Sequence, residues 1–191
     1  KEPQPVLKRD KPWEHNLYFT VNGWSVLRDS QTGEFRCWYD DWNPDIQEVK
    51  RVGYLYCVPG RTSFARSTDG VHWRDHGWAI RASEKMVVYL GTGSVWKDVA
   101  FEQTGRFLCN YSEWRLDAAG KPTQNILFAW SRDLVRWEKC GEEGLFPVDT
   151  GGYHRYGRWD CIFPMPRAEG GYWGTWTATP LARADLSGGI G

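Results

Sequence analysis

The sequence predicts an all-β chain, a β-propeller of four-stranded antiparallel blades, and three observations predict it. Segments recur along the chain in a fixed order, each recurring unit alternates aromatic and polar residues between glycine turns, and nothing keeps a helical period over a dozen residues. The segment from Gly33 to Trp42 matches the one from Gly105 to Trp114, 72 residues later, with Gly, Phe, Cys, Tyr and Trp identical. Ser67 to Trp73 matches Ser131 to Trp137 at a spacing of 64, and Ser25-Val26-Leu27-Arg28-Asp29 matches Ser94-Val95-Trp96-Lys97-Asp98 at a spacing of 69. An all-β sandwich would alternate equally well, but it gives no reason for turn residues to repeat.

Taken in order, the first unit reads as strands over about 24–29, 34–42, 53–58 continued by 62–66, and 71–75, because aromatic and β-branched residues alternate there with polar ones. The second unit repeats them over about 94–101, 106–114, 125–131 and 135–139. Ser-x-Asp-Gly-x-x-Trp (Ser67 to Trp73) and Ser-x-Asp-Leu-x-x-Trp (Ser131 to Trp137) predict tight turns capped by serine and aspartate, each followed by a tryptophan that packs between blades. A third unit opens at Arg158-Trp159-Asp160-Cys161-Ile162-Phe163 and continues through Gly171–Ala178. The expected organisation is one partial propeller over 1–191, with blade one at about 18–80, blade two at about 90–145 and the start of a third blade at about 156–191. Four units at a 64-residue spacing need about 256 residues, so Gly191 reads as a truncation and the open face of the last blade is expected to expose apolar rings.

Composition narrows the partner. Lysine plus arginine (24) balances aspartate plus glutamate (24), which argues against nucleic acid and against an anionic membrane surface and favours a neutral ligand. Thirteen tryptophans, nine tyrosines and eight phenylalanines supply a core and flat faces on which sugar rings stack. Five scattered cysteines without a C-x-x-C pair or a histidine at ligand spacing predict no metal, no cofactor and no complete disulfide framework. No basic segment followed by an apolar run is present, and no stretch of eighteen apolar residues, so a soluble chain of undetermined compartment is expected, with no signal peptide or membrane span in view.

The candidate site residues are acids where the pattern expects apolar side chains. Asp98 and Asp160 each begin an Asp-x-x-Phe segment and are expected at the head of an inner strand, facing a common funnel as catalytic residues. Asp41 and Glu113 end the second strands, each before a tryptophan, Trp42 or Trp114. A carboxylate beside an indole suits saccharide binding, since the acid accepts hydroxyl hydrogen bonds while the ring covers a CH face.

These residues resemble a known family, the invertase and fructan-hydrolase group of five-bladed propellers, within a wider set that includes arabinan hydrolases. Asn22-Gly23, with Trp38-Tyr39-Asp40-Asp41-Trp42-Asn43-Pro44 after it, is similar to the family's N-D-P-N-G and F-Y-Q-x-N-P. Gly91-Thr92-Gly93-Ser94 is similar to S-G-S-A, Ser131–Glu138 to S-x-D-L-v-x-W-E, and Arg158-Trp159-Asp160 to R-D-P. The resemblance implies a glycoside hydrolase acting on a neutral oligosaccharide or polysaccharide. Asp160 would hold sugar hydroxyls near the reacting centre, and Asn22, Trp24, Asp41, Trp42, Glu113, Trp114, Arg158 and Trp159 would line the substrate site. It departs from the family in three places. The nucleophilic aspartate falls at Thr20, a tryptophan separates Arg158 from Asp160 with Cys161 in place of proline, and the family's glutamate acid/base would follow Gly191. A non-catalytic carbohydrate-binding or interaction propeller is the alternative. A sialidase shares the Ser-x-Asp-Gly-x-x-Trp turn, but that class needs an arginine cluster and the chain is not notably basic.

Overall fold

The computed structural model describes residues 25–42, 50–52, 55–57, 60–81, 86–182 and 189–190. They form a partial β-propeller. Blade one contains β1 (Ser25–Arg28) and β2 (Phe35–Trp42), then a separate hairpin of β3 (Lys50–Val52) and β4 (Leu55–Cys57), then β5 (Gly60–Ser67) and β6 (Trp73–Arg81). The sheet order is β1-β2-β5-β6, all antiparallel. Blade two comprises β7 (Met86–Lys97), β8 (Phe107–Leu116), β9 (Pro122–Ser131) and β10 (Glu138–Lys139), again neighbours in chain order. Blade three contributes β11 (Trp159–Pro166), β12 (Tyr172–Ala178) and β13 (Gly189–Ile190). Two short helices interrupt the strands, α1 (Phe101–Thr104) and a 3-10 turn at Gly141–Gly144.

Two expectations change. The segments 53–58 and 62–66 are not one strand, because Leu55–Cys57 of the first pairs in the β3–β4 hairpin and only β5 pairs with β2. The first strand of blade two begins at Met86 and ends at Lys97, where it was expected over 94–101. Register shifts between Met86/Val88, Tyr89/Gly91 and Thr92/Ser94 let β7 absorb extra residues, which hid its first half from a period-two reading.

Alternation decides which side chains meet. On β8, Cys109 and Tyr111 turn towards blade one and pack with Trp38, Phe64, Ile80, Val95, Leu127, Ala129 and Leu134 in one core. Trp38 stacks on Phe64 at 5.4 Å and meets Trp137 edge-on at 6.0 Å, so the tryptophan of the second turn motif packs between blades as its sequence predicts. The opposite face of blade two sends Ile126 and Phe128 into a second core with Trp159, Ile162, Ala178 and Trp176 of blade three.

A serine stitches each inner strand to the next. The Val95 N–H donates to Ser25 Oγ at 3.0 Å, joining blades one and two. Ser94, which matches Ser25 in the repeat, donates from Oγ to the Ile162 carbonyl at 2.8 Å, joining blades two and three. The repeat at a spacing of 69 therefore encodes a contact between blades as well as a strand.

Candidate functional site

Asp160 is the second residue of β11, the first strand of blade three, and it is fully buried. The local sequence fixes it from both sides. Thr179 follows β12 and sits against Gly157, where a Cβ would come within 2.4 Å of the threonine Cβ, so only glycine allows this approach. Thr179 Oγ1 then accepts the Arg158 N–H at 2.7 Å, and the Thr179 N–H donates back to the Arg158 carbonyl at 3.1 Å. From that anchor the Arg158 guanidinium forms a two-point contact with the Asp160 carboxylate, Nη2 to Oδ2 at 2.7 Å and Nε to Oδ1 at 3.4 Å. The acid is 1% exposed and the arginine 46%, so the pair presents its cationic side outward with the carboxylate behind it.

Immediately after Asp160 the strand breaks step. The pairing with β12 shifts between Asp160 and Phe163, and Cys161 adopts φ of 59°, a left-handed conformation uncommon outside glycine. Proline, with φ held near −65°, cannot occupy that position. The cysteine found where R-D-P has proline therefore goes with a different backbone, and the bulge aims Asp160 in its own way.

Trp159 lies elsewhere. Its ring is 1% exposed, 5.1–5.3 Å from Tyr153, Phe146 and Trp176, and its indole N–H donates to the Phe146 carbonyl at 3.0 Å. It was expected to meet substrate, and the structure uses it to hold blade three against blade two. Its backbone N–H donates to Gln124 Oε1 at 2.9 Å, and Gln124 pairs with Trp114 across β9 and β8. Trp114, buried at 8% exposure, is thus level with Asp160 at the same end of the blades. Nothing in the sequence pattern singles out Gln124, a residue that only its neighbours in space make informative.

Glu113 shares that end, but strand alternation turns it the other way, onto the face with Tyr111, where Arg115 Nε donates to its Oε2 at 3.1 Å and continues to Glu142 at 3.0 Å. Acid and indole are neighbours in sequence and occupy opposite faces of β8, so the expected carboxylate-beside-ring surface is not formed there. Burial raises the Tyr111 hydroxyl pKa, and the Glu113 charge beside it adds to the rise. Asp41 and Trp42 close β2 at the corresponding place, with their side chains outside the described residues, as are Asn22, Trp24 and Thr20.

Asp98 does not join Asp160. It follows the last residue of β7 and caps the next turn, accepting the Ala100 N–H at 3.1 Å and standing 3.5 Å from the Tyr172 hydroxyl. Tyr172 pairs with Pro166, the far end of β11. Six residues at about 3.3 Å each place Asp98 about 20 Å from Asp160 along the strand, so the expected common funnel is overturned. The error traces to the misread start of β7, which turned a strand end into a strand head.

Among the described residues no cluster of three or more histidine, cysteine, aspartate or glutamate side chains is placed to hold a metal ion, and no helix is long and apolar enough to cross a membrane. Cys37, Cys109 and Cys140 are outside any disulfide, the first two of them buried.

Antiparallel four-stranded blades joined side by side define the architecture of a β-propeller. Solved structures carry the comparison further. A family 117 glycoside hydrolase from the marine bacterium Zobellia galactanivorans superposes with a TM-score of 0.61 at 13% identity, over 87% of this chain and 49% of its own. Sucrose-6-phosphate hydrolase from Lactobacillus gasseri gives 0.62 at 15%, over 93% of this chain and 31% of its own. A variant of the GH32 beta-fructofuranosidase of Bombyx mori, in complex with sucrose, gives 0.56 at 14%, over 87% and 32%. This chain spans about half or less of the length of these proteins, and what it shares with them is the fold. No protein-family model and no curated protein matches the sequence.

Proposed function

We propose that the chain is part of a glycoside hydrolase that binds a neutral oligosaccharide or polysaccharide at the blade end carrying Asp160. The observation that carries this reading is the buried Arg158–Asp160 pair at the head of an inner strand. A guanidinium has five N–H donors, of which two are engaged with Asp160, so three remain for hydroxyl and ring oxygens. The carboxylate behind it is fully buried and fixes the direction in which the guanidinium points. A carboxylate that holds hydroxyls near the reacting centre is the role that the resemblance to the fructan hydrolases gives Asp160. Cleavage itself calls for two further carboxyl groups on either side of the glycosidic bond, and Asp98 is too far away to serve as one of them.

The test is hydrolysis of chromogenic fructosides and arabinosides, together with calorimetric binding of sucrose, by the whole protein that contains this chain and by its Asp160→Asn variant. Native turnover with a loss of about a hundredfold or more in kcat/KM for the variant is the expected result, the size typical of removing one preorganised polar contact from a transition state. Saccharide binding without turnover in either protein would favour the carbohydrate-binding alternative. Absence of both would remove the saccharide reading.

A further inference from the structure

At the other end of the blades, away from Asp160, a cleft of about 760 Å³ opens between blades one and two. The turns after β1 and β7, the latter carrying α1, and the Ser131–Trp137 turn form its walls. Four cations and three carboxylates line it, and the way each is engaged decides its character. Arg36, buried at the floor, donates Nη2 to Asp29 at 2.7 Å and Nη1 across the blade boundary to the Asp133 carbonyl at 2.6 Å. Asp29 Oδ1 also accepts the turn N–H groups of Gln31 and Thr32, and Asp133 Oδ1 those of Val135 and Arg136.

The other three cations have no carboxylate within ion-pair distance among the described residues. Arg28 sits 5.5 Å from the Phe35 ring centre and donates to the Gly33 carbonyl at 3.4 Å. Lys97 lies 4.6 Å from the Phe101 ring. Arg132 lies 5.1 Å from Trp130 and donates Nε to the Thr104 carbonyl at 3.3 Å. Rings and backbone carbonyls thus hold three cationic heads in place without neutralising them, and the exposed Glu102 is the remaining acid. The Arg36 Nε–H is buried with no acceptor, an unsatisfied donor at the bottom of a cationic cleft.

We infer that this cleft binds the oxyanion of a small molecule, a phosphate, sulfate or carboxylate group, at a site separate from the Asp160 end. Guanidinium forks match the geometry of such groups with paired charge-assisted bonds. Cations already fixed against rings lose little side-chain freedom when the anion arrives. The volume lies within the roughly 300–1,000 Å³ of small-molecule sites, so the anion would be carried on a larger body.

The test is an NMR titration of the arginine Nε–H resonances in the full chain with inorganic phosphate, sulfate and citrate, against chloride at equal ionic strength. Saturable shifts of Arg28, Arg36 and Arg132 with at least one oxyanion, and none with chloride, are expected. Preference for phosphate or sulfate over citrate would assign a phosphorylated or sulfated ligand, and the reverse a carboxylated one. The double variant Lys97→Gln/Arg132→Gln should weaken binding by about tenfold or more, as loss of two charge-assisted contacts requires. Arg167→Gln, whose guanidinium lies over Trp173 and pairs with Glu169 on blade three, should leave it unchanged. No saturable shift with any oxyanion overturns the inference, and so does unchanged affinity in the folded double variant. Should that variant fail to fold, the titration of the native chain decides alone.

Discussion

Asp160 and Arg158 are unequal partners, one buried and one half in water, so their removal has unequal consequences. Arg158→Ala leaves a buried carboxylate without its counter-charge and should destabilise, by less than the about 3–5 kcal/mol of a fully buried pair because the guanidinium is half in water, read as a lower urea midpoint with unchanged slope. Asp160→Asn keeps an acceptor for the guanidinium and removes the charge, so it should cost less than Arg158→Ala in the same measurement. Cys161→Pro asks the chain for a φ of the wrong sign at the bulge and should destabilise by about 3 kcal/mol or more, whereas Cys161→Gly should fold normally. A stable proline variant would mean that the bulge rearranges freely. The place of Asp160 on an inner strand was legible in the sequence because an acid stood where an apolar residue was due. The conformation of Cys161 was not, since a left-handed residue inside a strand leaves no periodic trace.

The two turn motifs show how an element can be conserved in shape while one residue serves two ends. In the first, Gly70 takes φ of 76°; in the second, Leu134 takes φ of 62° at the same place. Leucine bears that strain because its side chain, 3% exposed, fills the core between blades one and two. Leu134→Gly relieves about 1–2 kcal/mol of left-handed strain but leaves a cavity worth about 2–5 kcal/mol, so thermal unfolding should show net destabilisation. The Ser131 hydroxyl accepts the N–H groups of Asp133 and Leu134 while donating to Asp133, and burial is nearly complete, so Ser131→Ala should cost about 1–2 kcal/mol. Burial would raise the Asp133 pKa, yet the N–H groups of Arg136 and Val135 outweigh it and hold the carboxyl below its ordinary range. Asp29 is lowered in the same way, chiefly by the Gln31 N–H. A depressed acid stabilises the fold above the unfolded pKa near 4 and loses that contribution as pH falls. Acid titration of stability should therefore steepen below about pH 4, and Asp133→Asn should flatten part of it. These turns were readable because serine and aspartate at fixed offsets have a local chemistry. The hairpin β3–β4 was not, because strands of three residues are too short to show an alternation.

Across the whole molecule, register assigns a partner to every face. Ser94, Trp96 and Leu108 on blade two turn towards blade three, and register places Phe163, Met165 and Trp173 at the corresponding positions of blade three. Those three are 60%, 42% and 62% exposed. They form an apolar strip with no neighbouring sheet among the described residues. Trp173→Lys with Phe163→Lys should reduce self-association in sedimentation measurements without lowering the melting temperature, since neither ring contributes to a core. Blade architecture was legible because the repeat is long and ordered. The separation of Asp98 from Asp160 was not, because it depends on where a bulged strand begins. The serine stitches, finally, have a mechanical meaning. Within a blade, load is shared by a ladder of backbone bonds, but from one inner strand to the next the described hydrogen bonds of Ser25 and Ser94 hold apolar surfaces together at one level. Pulled from its ends, such a chain yields blade by blade, and each release would free about 24 nm of extended chain, the length of one 69-residue repeat, less the span the folded blade already covered.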